Sequence, residues 1–359
     1  MLPPELLYEI FGYLKDMDKY RFILSFDKDM LQNQKKFGKK ILLHDEYDFD
    51  FIFDCQLFSA INIVTNNIYY LSAIKKYVES NNFKSINLKI NDNQDINNFP
   101  DININILRFT DQFNSLVTKF PDNVNTIYYG NNFNKMLLYN SLPSNLKHLI
   151  FGKRFNQIVD FRFLSNTDKI IKIEFGNDFN QPIYYFGESL KILVFGHDFN
   201  NYIHELPKNI YHLQFGFNYN KPIDFIHDKV KVLKFGNSFN QPIDVLPDNI
   251  NKLTLGDSYS CIINKLPDKL LYLSLGHSYN SPIVYSNNIK LIKFGNSFNQ
   301  SINNLPDSVK YVHLGSKYSK IIKKIPKSLK TIVIEPYYEN MHHIMFKHIP
   351  ENIKIIINA

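Results

Sequence analysis

Ten of the 13 glycines in this 359-residue chain recur at a nearly constant interval. They are Gly130, Gly152, Gly176, Gly196, Gly216, Gly236, Gly256, Gly276, Gly295 and Gly315, with spacings of 22, 24, 20, 20, 20, 20, 20, 19 and 20. Each brings the same neighbours. Three residues on stands an aromatic, as in Phe179, Phe199, Tyr219 and Phe239, and the next residue is Asn or Ser. An aliphatic follows at plus seven (Ile183, Ile203, Ile223, Ile243), and Leu-Pro often follows at plus ten and eleven, as in Leu206-Pro207 and Leu246-Pro247. A fixed period of this length marks a stacked repeat, in which no unit can bury its own apolar face and neighbours must cover it.

Apolar residues precede each glycine at minus six, minus three and minus one, as Leu233 and Phe235 precede Gly236. Alternation at minus three and minus one is the period of a short strand with one buried face. The glycine then ends the strand where the backbone turns sharply or passes close to an aromatic ring. Proline breaks any ladder and keeps the return path extended. A unit of about 20 residues leaves little room for a long helix. The aromatics at plus three are expected to stack as an internal spine. The Asn at plus four is expected to form a side-chain ladder that satisfies backbone groups in the turn.

The pattern extends past the glycines. Thr110 takes the glycine position before Gly130, with Phe113, Asn114 and Pro121 in register, and Glu335 takes it after Gly315, followed by Tyr338. Ile349-Pro350 with Ile353 and Ile356 starts a last half-turn. The array therefore spans residues 99–359 in about twelve turns with a C-terminal cap. The longer intervals after Gly130 and Gly152 are insertions, expected to bulge away from the strands. The strings FGNDFNQPI (175–183), FGNSFNQPI (235–243) and FGNSFNQSI (294–302) resemble the FNIP repeat, a relative of the leucine-rich repeats found in social amoebae and in giant viruses of amoebae. The resemblance implies a solenoid with one continuous parallel β-sheet. In ordinary leucine-rich repeats the ladder Asn lies two positions after the glycine slot, which here is mixed: Asn132, Asp178, Ser238, Lys317.

The N-terminus has another pattern. Leu2, Leu6, Leu7, Ile10, Phe11 and Leu14 fall at helical spacing, Pro4 suits a first helical turn, and Glu5 and Glu9 lie near its positive end. Residues 18–26 and about 29–43 read as further helices. This start resembles the F-box, a helical module of about 45 residues, through Leu2, Pro3, Glu5, Leu6, Leu7, Ile10, Phe11 and Leu14. Tyr20 stands where that family has Leu. The resemblance implies that Leu2, Pro3, Leu6, Leu7, Ile10, Phe11 and Leu14 dock on a Skp-type adaptor of a cullin–RING ubiquitin ligase. The alternative is an amphipathic helix that caps the solenoid. The fold class expected is thus α+β: a helical module over 1–45, a linker and N-terminal cap over 46–98, and the repeat solenoid. Within 46–98, a helix is expected at 68–80 and a strand at 84–90.

Catalytic signals are weak. The glycines are single and periodic, so no phosphate-binding loop is formed, and neither H-E-x-x-H nor C-x-x-C occurs. His342, His343 and His348 read as surface histidines. Cys55 and Cys261 have no recognisable base nearby in sequence and suggest neither a metal site nor a disulfide framework. No cofactor and no catalysis are expected. The chain starts Met-Leu-Pro-Pro-Glu without a basic, apolar leader, and no run approaches ~18 apolar residues. The expected location is the cytoplasm, the host's if the chain is viral, with the nucleus left open.

Binding signals are stronger. The net charge is +7, and residues 111–359 hold 28 basic and 19 acidic side chains. If minus three and minus one point inward, minus four and minus two point outward. Those rows mix basic, aromatic and apolar groups, and Glu174 is their one carboxylate from Thr126 to His313. Such composition suits a protein interface. The target-binding patch is expected at Ile192, Val194, His212, Gln214, Val232 and Lys234, and an acidic-apolar peptide or loop fits it best. The function expected is a non-catalytic substrate receptor of a cullin–RING ligase. The alternative is a repeat scaffold without a ubiquitin link. Nucleic acid is a weak third reading, because acidic residues interleave with the lysines.

Overall fold

In the computed structural model the described residues are 41–44, 60–65, 85–90, 99, 104–335 apart from 163, 165, 166, 204 and 225, and 349–357. The chain divides into two compact units, Met1–Phe155 with Arg162–Ile170, and Asn156–Phe161 with Ile171–Ala359. The described part of the first unit holds strands β1 (Ile41–His44), β2 (Ala60–Thr65), β3 (Ser85–Ile90), β4 (Ile106–Phe109), β5 (Thr126–Tyr128) and β6 (His148–Ile150). Each pairs in parallel with the next. The second unit holds β7 (Lys172–Glu174), β8 (Ile192–Val194), β9 (His212–Gln214), β10 (Val232–Lys234), β11 (Lys252–Thr254), β12 (Tyr272–Ser274), β13 (Leu291–Lys293), β14 (Tyr311–Leu314), β15 (Thr331–Ile334) and β16 (Lys354–Ile357), again parallel in sequence order.

This corrects the expected α+β class. Among the described residues the only helical element is a 3-10 turn, Thr167–Lys169, and the fold is a parallel β-solenoid. The helix expected over about 29–43 overlaps β1, in which Ile41 lies opposite Ile61. Ile41, Leu42 and Leu43 form a short continuous apolar run, whose periodicity alone does not separate strand from helix. Pairing along β2 decides for the strand. The other expected helices, at 2–14, 18–26 and 68–80, lie outside the described residues. Strand pairing also begins well before residue 99, through β1, β2 and β3.

The inward pattern is carried by the middle residue of each strand. Leu193, Leu213, Leu233 and Leu253 are fully buried and face one another in register. Two aromatic columns run beside them. In the second unit the plus-three column stacks from Phe179 through Phe199, Tyr219, Phe239, Tyr259, Tyr279 and Phe298 to Tyr318, with ring centroids 6.0–6.4 Å apart. The minus-one column stacks Phe175, Phe195, Phe215 and Phe235 at 5.4–5.7 Å. Within a turn the two rings sit closer, 3.9 Å for Phe195 and Phe199 and 3.7 Å for Phe235 and Phe239. The first unit repeats this with Phe113, Phe133 and Phe155 beside Phe109, Tyr129 and Phe151. Offset ring pairs add about 0.5–1.5 kcal/mol each to the burial of their area, which explains the aromatic richness.

The glycines answer a steric demand different from the one expected. None of them has a positive φ among the described residues. A Cβ on Gly196 would instead overlap the carbonyl oxygen of Gly176, and one on Gly216 that of Gly196. What passes close is the backbone of the preceding turn, not a ring. The Asn ladder is present at plus four: Asn200, Asn220 and Asn240 each donate a backbone N–H to the side-chain oxygen of the Asn one turn earlier, at 2.9–3.0 Å. Proline also differs from expectation. The carbonyls of Pro207, Pro267 and Pro306 accept from the residue three positions on at 3.1 Å, so the Leu-Pro step opens a turn. The expected insertions contain Asn140 at φ 57°, a left-handed conformation that Asn tolerates, beside exposed Met136 and Tyr139.

Candidate interaction surface

The strand pleat sets the side-chain directions. With Leu193, Leu213 and Leu233 pointing inward, their neighbours on either side must point outward. Ile192, His212 and Val232 stand in one row across β8, β9 and β10, and Val194, Gln214 and Lys234 in a second. Five of the six are half-buried and Lys234 is exposed. All six residues expected from the sequence are therefore brought together, with strands spaced by about 4.8 Å. The flanking strands add Lys172, Lys252 and Tyr272, with the Lys252 ammonium 4.7 Å from the Tyr272 ring centre. Glu174 is paired with Lys172 at 2.8 Å and offsets the charge of that lysine. His212 feels the result. Burial, and then Lys252, Lys172 and Lys234, hold its pKa below the ordinary 6.5.

The outward rows are not uniformly open. Thr126 in β5 is buried, with its hydroxyl 3.2 Å from the His148 ring. His313 in β14 and Val333 in β15 are buried as well. The seven residues of the expected adaptor surface, Leu2 to Leu14, lie outside the described residues, as do Cys55, His342, His343 and His348. Cys261 is half-buried, and its thiol lies 3.2 Å from the Asn240 side-chain oxygen. Among the described residues no group of three or more His, Cys, Asp or Glu is arranged to hold a metal ion. No helix there is long and apolar enough to cross a membrane.

A second feature escapes a reading of the sequence. Where the chain leaves β11 to β15, a trough of about 760 Å³ opens over Gly276 and Gly295. Its polar wall includes Asp257, His277, Lys293, Asn296, His313 and Glu335. The His313 ring donates from Nε2 to Glu335 Oε1 at 2.8 Å. Asp257 Oδ1 accepts from the His277 backbone N–H at 3.1 Å, and its Oδ2 accepts from the Asn237 side-chain amide at 2.8 Å. Lys293 and Asn296 share one turn, and the other groups come from successive turns 16 to 22 residues apart along the chain. The available signal was Glu335, a carboxylate standing in a glycine slot.

The comparisons agree with this architecture. Six segments, 116–154, 133–164, 199–238, 226–258, 239–278 and 279–317, match the FNIP Repeat family. No curated protein matches the chain. Among solved structures, CroV588, a novel circular LRR protein, is similar with a TM-score of 0.65 and 21% identity, over 95% of this chain and 68% of that one. The pneumococcal vaccine antigen PcpA matches with 15% identity and a TM-score of 0.24, over 84% of this chain and 80% of that one. A leucine-rich repeat protein from Bacteroides ovatus matches with 10% identity and a TM-score of 0.18, over 74% and 69%. In fold the chain is thus similar to the leucine-rich-repeat structure of CroV588, and the matched segments between 116 and 317 are similar to the FNIP repeat.

Proposed function

We propose that the protein is a non-catalytic interaction scaffold that captures a partner protein on the outward face of β8, β9 and β10. The observation that carries this reading is the patch of Ile192, Val194 and Val232 set among His212, Gln214 and Lys234, half-exposed and without a carboxylate. Aliphatic side chains at strand spacing, rimmed by cationic groups, suit a partner segment that is both acidic and apolar. Solenoids of stacked repeats characteristically offer such extended surfaces for binding. The ubiquitin-ligase reading depended on a helical N-terminal module. It is not carried forward, because the described fold is all β and nothing else in it points to an adaptor. The test is partner capture by the full chain against a Val194→Glu, Val232→Glu double variant. Both positions face outward, so the fold should persist by circular dichroism while capture is lost. Unchanged capture would move the site elsewhere, first to the inserted loops at 135–145 and 157–169.

A further inference from the structure

Both carboxylates of the trough are occupied from within. Asp257 accepts from His277 and Asn237, and Glu335 accepts from His313, whose side chain is only 10% exposed. Lys293 is the contrast. It is exposed, and its ammonium has no hydrogen bond or ion pair among the described residues, although its backbone carbonyl accepts from the Leu275 N–H at 2.8 Å. Its register neighbour on β14 is His313, and Asn296 and Ser316 add polar groups to the same wall. The adjoining turn intensifies the charge. Residues 310–330 carry seven lysines and no acidic residue, and all seven lysines are exposed. Only Lys327 among them forms an ion pair between described side chains, with Asp307 at 3.2 Å.

We propose that the trough is an anion site that seats a carboxylate side chain of a partner polypeptide, with Lys293 as its counter-charge. This deepens the scaffold reading and rests on it: the same partner that lies on the strand face would place an acidic residue here. From the turn of Asp257 to that of Glu335 is four strand spacings, roughly 19 Å, which about six extended residues span. One unpaired ammonium suits one carboxylate. A polynucleotide, with a phosphate on every nucleotide, would need a row of cations and would meet Asp257 and Glu335 instead. A phosphate dianion would be repelled by the same two groups more strongly than a carboxylate. The lysines of 310–330 supply the field that draws an acidic segment toward the trough.

The test uses the full chain and an acetylated, amidated hexapeptide of alternating Glu and Val. A Gln–Val peptide and a phosphoserine–Val peptide serve as comparisons. Histidine ring signals report the place of binding. At low salt the Glu peptide should shift His277 and His313, the Gln peptide should shift neither, and the phosphoserine peptide should bind more weakly than the Glu peptide. Lys293→Gln should weaken the Glu peptide roughly tenfold. A Lys320→Gln, Lys323→Gln, Lys324→Gln triple variant should stay within about twofold, because those lysines contribute only to the diffuse field. The proposal fails if the triple variant weakens binding as much as Lys293→Gln, if only His212 responds, or if no binding occurs. Tighter phosphoserine binding would overturn the choice of carboxylate. Loss of peptide binding in the Val194→Glu, Val232→Glu variant with full binding in Lys293→Gln would sink the trough and leave the strand face standing. The reverse would sink the strand face and leave the trough.

Discussion

Two sets of turns in the second unit share one backbone and differ in their core. From Gly176 to Gly236 the residue before each glycine is Phe, and its ring lies 3.7–3.9 Å from the aromatic at plus three. In the next two turns that residue is Leu255 and Leu275, and the aromatics at plus three are Tyr259 and Tyr279. The plus-three stack nevertheless continues, at 6.1 Å from Phe239 to Tyr259 and 6.0 Å from Tyr259 to Tyr279. The minus-one slot therefore requires apolar volume, whereas the plus-three slot requires a flat ring in all these turns. Substituting Tyr for Phe there brings a hydroxyl into the core. Tyr219 donates to the Pro222 carbonyl at 3.4 Å, but the buried Tyr259 hydroxyl has no hydrogen-bond partner among the described residues. Burial correspondingly pushes the Tyr259 phenol well above its ordinary range, and that of Tyr279 up to about 12.

The largest expected effect lies in what both sets of turns share. Gly216→Ala and Gly256→Ala each drive a methyl group into the carbonyl of the preceding glycine. Each should cost on the order of 3–5 kcal/mol in urea unfolding, regardless of the ring or leucine beside it. A tolerated alanine at either position would show that the turns can separate, and the argument from backbone contact would fall. The next effect distinguishes the sets. Tyr259→Phe removes an unpaired buried hydroxyl and should raise stability by about 1 kcal/mol, whereas Tyr219→Phe, which gives up a long hydrogen bond, should change it little. Equal losses in both variants would mean that Tyr259 has a partner after all.

The smallest effect concerns the face outside the Phe-cored turns. The native state holds the His212 pKa below 6.5, so the unfolded chain takes up the proton first as pH falls. The contribution of His212 is therefore fully present above pH 6.5 and is lost as pH drops from 6.5 through the lowered folded value. A ring titration should give a pKa below 6.5 that rises toward it in Lys252→Gln. A value above 6.5 would contradict the picture of a basic, carboxylate-poor patch around β9.

Much of the fold was legible because a repeat writes the same local instruction many times. Phe199, Tyr219 and Phe239 announced a stacked column, and Asn200, Asn220 and Asn240 a ladder, through their spacing alone. The six residues of the strand-face patch were legible for the same reason, since alternation around Leu193, Leu213 and Leu233 sets which side chains face out. The trough was not legible. His277, Lys293, His313 and Glu335 occupy ordinary slots in separate turns, and no local pattern joins them. The start of strand pairing at Ile41 was also hidden, because the three-residue apolar run Ile41 to Leu43 carries no period of its own.

By itself, then, the sequence determined the period, the inward columns and the positions of glycine and Asn, since each follows from forces acting within one turn or between identical turns. Only the tertiary structure decided that the glycines yield to a neighbouring carbonyl and that Pro207 opens a turn. It also decided that a carboxylate in a glycine slot reaches the histidine of the strand before it. Those contacts join atoms about 20 residues apart or depend on backbone direction, and stacking alone sets their distances.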